Sequence, residues 1–496
     1  KDDLSAIADF INDSDHYDAV DAQLLQDYKK ALEINRSYLN ALEDEAFTFV
    51  QKTVKRFPRR TIMVSFSGGK DSTVVSDIVR RGLGRSDILH VFGDTTLEDE
   101  NTYAYVREFR EQNPLVPFFE AKAEHDFHEL VDEIGPPSRV MRWCCTIFKA
   151  GPINNLLQSM GDQKVLTFYG IRRDESARRA RYHRTSWNDP ERVGTVVKVD
   201  QDDELNGVTV GGKIGQQITG SPIIDWTEFD VWLYMILNEV PFNKSYRLGY
   251  TRVGCWLCPL NSEWSELIGG IFFPEDSARW RKQLVAFATK IGKPDPEEYV
   301  DDRAWVKRFG GAGLPNRFTG IEAKPCGDMD NTIQVEVDRP VNVELEEFLK
   351  PLGKINRDKS RPALGEIYLE GRHGQKWSAI IVQAPEGSTS IRYTVINPEG
   401  DFKNITAYLK YQSSKFQTCI QCTACSAVCP HGAITIKPEA RIYEINQDAC
   451  TGCMECVTHF GSTGCLVAKS LAVFGKSAQQ DNDTTVSADF IPLSSL

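Results

Sequence analysis

Val64-Ser65-Phe66-Ser67-Gly68-Gly69-Lys70-Asp71-Ser72 is the stretch on which the reading of this 496-residue chain turns. It reads as a short apolar strand, Ile62 to Phe66, then a tight glycine turn, then a helix opening at Ser72. Two consecutive glycines let the backbone approach a phosphate with no Cβ in the way. The helix N-terminus that follows offers free N–H groups and positive dipole potential. Ser67 and Ser72 add hydroxyl donors, and Lys70 adds a point charge. Asp71 is wrong for a bare anion site, but right if Mg²⁺ arrives with a nucleotide.

The spacing is not that of the Walker loop, which has four residues between its first glycine and Gly-Lys. Ser-Gly-Gly-Lys-Asp-Ser instead resembles the signature of the PP-loop superfamily. That resemblance implies an enzyme that cuts ATP, or reads an adenylyl group, between the α and β phosphates.

Around that stretch, strand and helix alternate. Ile62–Phe66, Ile88–Phe92, Pro117–Ala121 and Val165–Tyr169 read as buried strands with helical stretches between them. The alternation predicts an α/β fold with a doubly wound parallel sheet. Ligands of such sheets sit at strand carboxyl ends, near the switch in strand order. The Ser67–Ser72 turn and Gly93-Asp94-Thr95-Thr96 both fall at strand ends, so they are expected to line one pocket. Gly170-Ile171-Arg172-Arg173-Asp174-Glu175-Ser176 follows a further strand. Arg178, Arg179, Arg181, His183 and Arg184 come directly after, and so many guanidiniums predict an anion-binding surface.

The length predicts two to four domains. Five segments are expected: N-terminal helices over 1–58, the PP-loop domain over 59–320, a small α+β unit over 321–412, an iron–sulfur domain over 413–475 and a polar tail over 476–496. A net charge of −12 argues against nonspecific nucleic-acid binding by the whole surface. No apolar run approaches the ~20 residues of a membrane span, so no membrane partner is expected. No secretory leader is visible, and a chain that starts at Lys1 leaves its native N-terminus undecided. The expected compartment is the cytoplasm.

The 13 cysteines are spaced for metal rather than for disulfides. Cys144 and Cys145 are adjacent, and Cys255 and Cys258 form a CxxC. Four thiolates suffice for one zinc or one 4Fe–4S cluster, and spacing alone does not choose. Cys419-x2-Cys422-x2-Cys425-x3-Cys429-Pro430 is the bacterial ferredoxin run, and Cys450, Cys453, Cys456 and Cys465 form a second set. Three closely spaced thiolates come from one loop and the fourth crosses over from the other half. Cys419, Cys422, Cys425 and Cys465 are therefore expected to hold one cluster, and Cys450, Cys453, Cys456 and Cys429 the other. This portion is similar to two-cluster ferredoxin domains. The thirteenth cysteine, Cys326, is left over.

The order of motifs adds a sharper resemblance. Ser-Gly-Gly-Lys-Asp-Ser, Asp-Thr-Thr, Cys-Cys, Gly-Ile-Arg-Arg-Asp-Glu-Ser, Ser221-Pro222-Ile223-Ile224-Asp225-Trp226 and Gly254-Cys255-Trp256-Leu257-Cys258-Pro259 together resemble the phosphoadenylyl-sulfate reductase family over residues 59–265. The resemblance implies that Cys144, Cys145, Cys255 and Cys258 hold a 4Fe–4S cluster, bringing the total to three. Asp94 and Thr95 match the family's second nucleotide motif. Arg172, Arg173, Glu175 and Ser176 match its substrate-phosphate motif. One departure stands out. Assimilatory members carry a nucleophilic cysteine in a Glu-Cys-Gly-(Leu/Ile)-His tail after the CxxC, and no such tail follows Cys258.

Two enzyme readings share this core. In the first, ATP is split to AMP and pyrophosphate to adenylate an acceptor for sulfur, as in the ATP-pyrophosphatase component of DNA phosphorothioation systems. Ser67, Gly68, Gly69 and Lys70 would then hold the leaving pyrophosphate. Asp71 with Asp94 would hold Mg²⁺, and Arg172, Arg173 and Arg179 the acceptor phosphate. The expected partners are an adenine nucleotide and, within a complex, DNA and a cysteine desulfurase or other sulfur donor. The missing tail favours this reading. In the second, the fused ferredoxin domain supplies electrons for reducing adenylyl or phosphoadenylyl sulfate to sulfite. A third, non-enzymatic reading, an iron–sulfur carrier with a retained nucleotide fold, is opposed by the intact Ser-Gly-Gly-Lys-Asp-Ser.

Overall fold

A computed structural model describes residues 14–160, 164–177, 179–187, 196–197, 208–210, 217–327 and 329–473. The expected tail over 476–496 and Arg178 lie outside them. The chain divides into two compact units, residues 1–123 with 148–283, and residues 124–147 with 284–496. The boundary expected at 320 does not coincide with this division: residues 284–320 and the internal segment 124–147 both belong to the second unit.

In the first unit, β1 (Thr61–Phe66), β2 (Leu89–Asp94), β3 (Phe118–Lys122), β4 (Val165–Phe168) and β8 (Ile218–Gly220) form a parallel block in the order β3-β2-β1-β4-β8. Strands covered on both faces read as apolar runs, and all four residues of β4 are buried. The sheet is parallel-dominated but mixed. β5 (Thr185–Trp187) joins β8 antiparallel, followed by β7 (Val208–Val210) and β6 (Val196–Val197). The strand order reverses between β1 and β4, which makes the end of β1 the switch point.

Helix α1 (Ser14–Arg56) and α2 (Lys70–Leu83) contribute Val50, Val74, Val75 and Ile78 to one core with Val64 and Phe168. Helix α2 opens at Lys70, two residues before the expected start, with Gly69 as its extended cap. Its far end stops at Gly84 in the left-handed region. α3 (Glu100–Gln112), α4 (Gly151–Ser159) and α5 (Glu228–Leu237) also belong to this unit. Thr227 and Asp230 close a capping box on α5.

In the second unit β9 (Ala323–Pro325), β10 (Thr332–Glu336), β11 (Lys354–Ile355), β12 (Glu366–Glu370), β13 (Ala379–Gln383) and β14 (Ser390–Ile396) form an antiparallel six-stranded sheet in the order β11-β12-β13-β14-β10-β9. β14 alternates buried and half-buried residues along its length, as a strand with one covered face does. α6 (Leu345–Leu349) and α7 (Phe402–Thr418) pack together, and Phe348 meets Phe416 edge-on. The cysteine-rich end follows with α8 (Ala424–Ala427), the hairpin of β15 (Ile434–Lys437) and β16 (Ile442–Ile445), α9 (Glu455–Thr458) and α10 (Leu466–Leu471).

Candidate functional site

The turn after β1 is held open as a cradle. Gly68 sits at φ +71°, a region that L side chains rarely adopt. The Ser67 amide donates to Ser72 Oγ at 3.1 Å, and Asn243 Nδ2 donates to the Gly68 carbonyl at 3.3 Å. The Lys70 amide, the first of the helix, donates to the Tyr246 hydroxyl at 2.8 Å. Tyr246 thus caps the spot where an anion would meet that amide. Lys70 is 3% exposed and its Nζ donates to the Thr251 carbonyl at 2.9 Å. It also faces Asp71 at 3.6 Å and Glu228 at 3.4 Å. Tyr246 was missed because a tyrosine so far along the chain carries no local signal.

The Gly170 loop packs directly against this turn. A Cβ on Gly170 would come within 2.6 Å of the Asp71 carbonyl carbon, so only glycine allows the approach. The approach delivers Arg172, whose Nε donates to Asp71 Oδ1 at 2.6 Å. Arg172 is buried, and its amide donates to Glu175 Oε1 at 3.1 Å. Arg173 pairs with Asp225 and Arg179 with Glu175. The Arg179 amide donates to Ser176 Oγ at 3.3 Å. Arg172, Arg173 and Arg179 each face a carboxylate, and Asp71 faces both Arg172 and Lys70.

The loop after β2 brings the second motif to the CxxC. Asp94 accepts from the Tyr103 hydroxyl and from the Thr96 amide, both at 2.8 Å. Thr95 Oγ1 stands 2.8 Å from Glu98 and 3.2 Å from Cys255 Sγ. The Trp256 amide donates to the Leu97 carbonyl at 2.9 Å, pinning the two loops together. Burial raises the Glu98 carboxyl above its ordinary value, against the hydrogen bond from Thr95. Burial likewise pushes the Cys255 thiol up to about 12, helped by Glu98 and opposed by Lys149. Cys255 is a poor free nucleophile in that state, and binding metal must release its proton. Cys258 lies in the same unit; Cys144 and Cys145 lie in the other.

Within the second unit, the segment carrying that vicinal pair is tied to the cysteine-rich end. His125 Nε2 hydrogen-bonds the Gln421 carbonyl at 2.9 Å. The buried Arg308 donates to the Ile134 carbonyl at 2.7 Å, the Pro136 carbonyl at 3.1 Å and the Ser470 carbonyl at 3.3 Å.

The eight cysteines of the ferredoxin runs fall into two groups. Cys429, Cys450, Cys453 and Cys456 line one pocket, together with apolar Pro351, Ile434, Ile445 and Met454. Cys419, Cys422, Cys425 and Cys465 are mutual electrostatic neighbours. Burial pushes the Cys419 and Cys456 thiols up to about 12. Four sulfur donors in apolar walls suit an iron–sulfur cluster and are wrong for Mg²⁺ or Ca²⁺. Among the described residues no group is closed round a single metal ion. In a four-iron core each thiolate meets its own iron, so the sulfurs stand apart.

Comparison with known proteins agrees with both halves. Residues 61–261 match the phosphoadenosine phosphosulfate reductase domain, and residues 418–459 match the 4Fe-4S dicluster domain. An uncharacterized protein of Methanocaldococcus jannaschii is 30% identical over 288 residues, 57% of this chain and 53% of its own. The adenosine 5′-phosphosulfate reductase of Staphylococcus haemolyticus is 26% identical over 200 residues, 40% of this chain and 70% of its own. A solved phosphoadenylyl-sulfate reductase from Candida auris aligns at 17% identity and a TM-score of 0.29, covering 45% of this chain and 96% of that one. The chain spans about half the length of the M. jannaschii relatives it matches, 53% and 57%. Among the described residues no helix is long and apolar enough to cross a membrane.

Proposed function

We propose, for a chain that joins a phosphoadenosine phosphosulfate reductase domain to a 4Fe-4S dicluster domain, that it reduces an adenine-nucleotide sulfate ester to sulfite. The observation that carries this choice is the fused 4Fe-4S dicluster domain over residues 418–459, since reducing a sulfate ester to sulfite needs two electrons and adenylation needs none. The Ser67–Lys70 turn, with Gly68 at φ +71°, is the seat this reading gives to the ester's anionic groups. The likeness to adenosine 5′-phosphosulfate reductases supports the same choice.

In this reaction the bond between sulfur and the bridging phosphate oxygen breaks. The oxygen stays on the nucleotide, and sulfur takes two electrons, passing from the +6 to the +4 state as sulfite. When loaded, the dicluster domain supplies electrons singly. Ser67, Gly68, Gly69 and Lys70 position the substrate anions, and Asp94 and Thr95 position the nucleotide beside the CxxC loop.

A second reading, adenylation of an acceptor at the expense of ATP, is favoured by the absence of a cysteine-bearing tail after Cys258. In that reading the acceptor is DNA, with a cysteine desulfurase or other sulfur donor in the same complex. An anaerobic product assay on the cluster-loaded protein separates the two. ATP, adenylyl sulfate and phosphoadenylyl sulfate are offered singly with a low-potential electron donor. Sulfite from either ester, without pyrophosphate from ATP, is the expected outcome. Pyrophosphate from ATP without sulfite overturns the reductase reading in favour of adenylation.

A further inference from the structure

Helix α7 ends at Cys419, and Lys415 lies one turn before that cap. Its side chain is 2% exposed, and among the described residues its Nζ makes no hydrogen bond of full geometry, with the Tyr443 hydroxyl as its neighbouring polar group. Nζ stands 5.6 Å from the centroid of the Tyr443 ring. Its charge interacts with both Cys425 and Cys456, one cysteine from each ferredoxin group. The Tyr443 hydroxyl is 3.8 Å from Cys425 Sγ. Helix α7 packs on both α9 and α10, which carry or follow the cysteines of the second half. Gln412, one turn earlier on the same helix, is fully buried with neither amide atom partnered among the described residues.

A lysine is almost never buried unless an opposite charge faces it. No carboxylate pairs with Lys415 among the described residues. What faces it is thiol sulfur from two groups, each fit to hold a four-iron core. Such a core with four thiolates is anionic in both oxidation states, and more so when reduced. A fixed cation in a low-dielectric interior favours the more negative form. Net charge and donors aimed at the sulfurs are what set cluster potentials.

We propose that Lys415 is a shared counter-ion for the two ferredoxin clusters and raises the reduction potential of both. The inference rests on the reading that Cys419, Cys422, Cys425 and Cys465 ligate one cluster, and Cys429, Cys450, Cys453 and Cys456 the other. Lys415 is a positioning residue, acting on electron affinity without touching substrate.

The test uses the full chain, reconstituted anaerobically. Iron content and electron paramagnetic resonance of the reduced protein come first. If wild type holds no pair of clusters in this region, the ligand reading fails, and the proposal with it. Redox titration then follows each cluster in wild type, Lys415→Met and Lys415→Arg. The expected result is a shift of both potentials to more negative values in Lys415→Met, with Lys415→Arg close to wild type. No shift, a shift of one cluster alone, or an equal shift in Lys415→Arg overturns the proposal. Should Lys415→Met fail to load, wild type labelled with ¹⁵N at the lysine ζ nitrogen decides the matter. Pulsed resonance must then detect that nitrogen at both reduced clusters, and its absence from either is equally fatal.

Discussion

Asp71 and Arg172 set the character of the nucleotide site. Removing Arg172 leaves the Asp71 carboxylate in a largely enclosed place, facing Lys70. Breaking a buried pair from one side costs about 3–5 kcal/mol. Asp71 is 19% exposed, so we expect the lower end, ~3 kcal/mol, for Arg172→Met in denaturant unfolding. Asp71→Asn in the Arg172→Met background should recover most of that loss. Full additivity of the two changes would mean that the pair is not coupled. The residue types here were legible in the sequence, since glycines, lysine and serines at that spacing announce an anion cradle. Their pairing was not. Arg172 and Asp71 are 101 positions apart, and only the close approach at Gly170 brings them together.

At the scale of elements, strand β2 carries a prediction that its sequence conceals. His90 lies in the sheet, fully buried, with Nε2 at 2.7 Å from Ser76 Oγ and Nδ1 at 2.8 Å from the Ile88 carbonyl. Burial lowers its pKa from 6.5 to about 4, with Arg80 adding to the effect and the Ile88 carbonyl opposing it. Between those values the unfolded chain binds a proton that the folded chain refuses. Stability is therefore lost as pH falls from 6.5 towards 4, by on the order of 3 kcal/mol. Urea midpoints at pH 7 and pH 5 should diverge in wild type and converge in His90→Gln. A single histidine inside an apolar strand gives no warning of this. Strand β2 itself and its parallel companions β1, β3 and β4 were readable from their apolar runs. The antiparallel join of β5 to β8 was not, because strands of two or three residues carry too little pattern.

Across the whole chain, the vicinal cysteines belong to the unit that holds the ferredoxin runs, while the CxxC belongs to the nucleotide unit. Sequence order hides this, since Cys144 and Cys145 lie between strands of the first unit. The ties through Arg308 and His125 reveal it. If Cys255 is a cluster ligand apart from the ferredoxin sets, Cys255→Ser should lose about one cluster's share of iron and leave the ferredoxin signals intact. Loss of all iron would mean that the sites do not fill independently. The grouping of Cys429 with Cys450, Cys453 and Cys456 around one cavity has a consequence for how the protein is made. If those four cysteines ligate one cluster, Cys419 to Cys429 emerge from the ribosome first, but one of them belongs to a set not yet translated, and the other three wait for Cys465. Neither centre would then be finished on the nascent chain in halves, and maturation would follow synthesis of the whole cysteine-rich end.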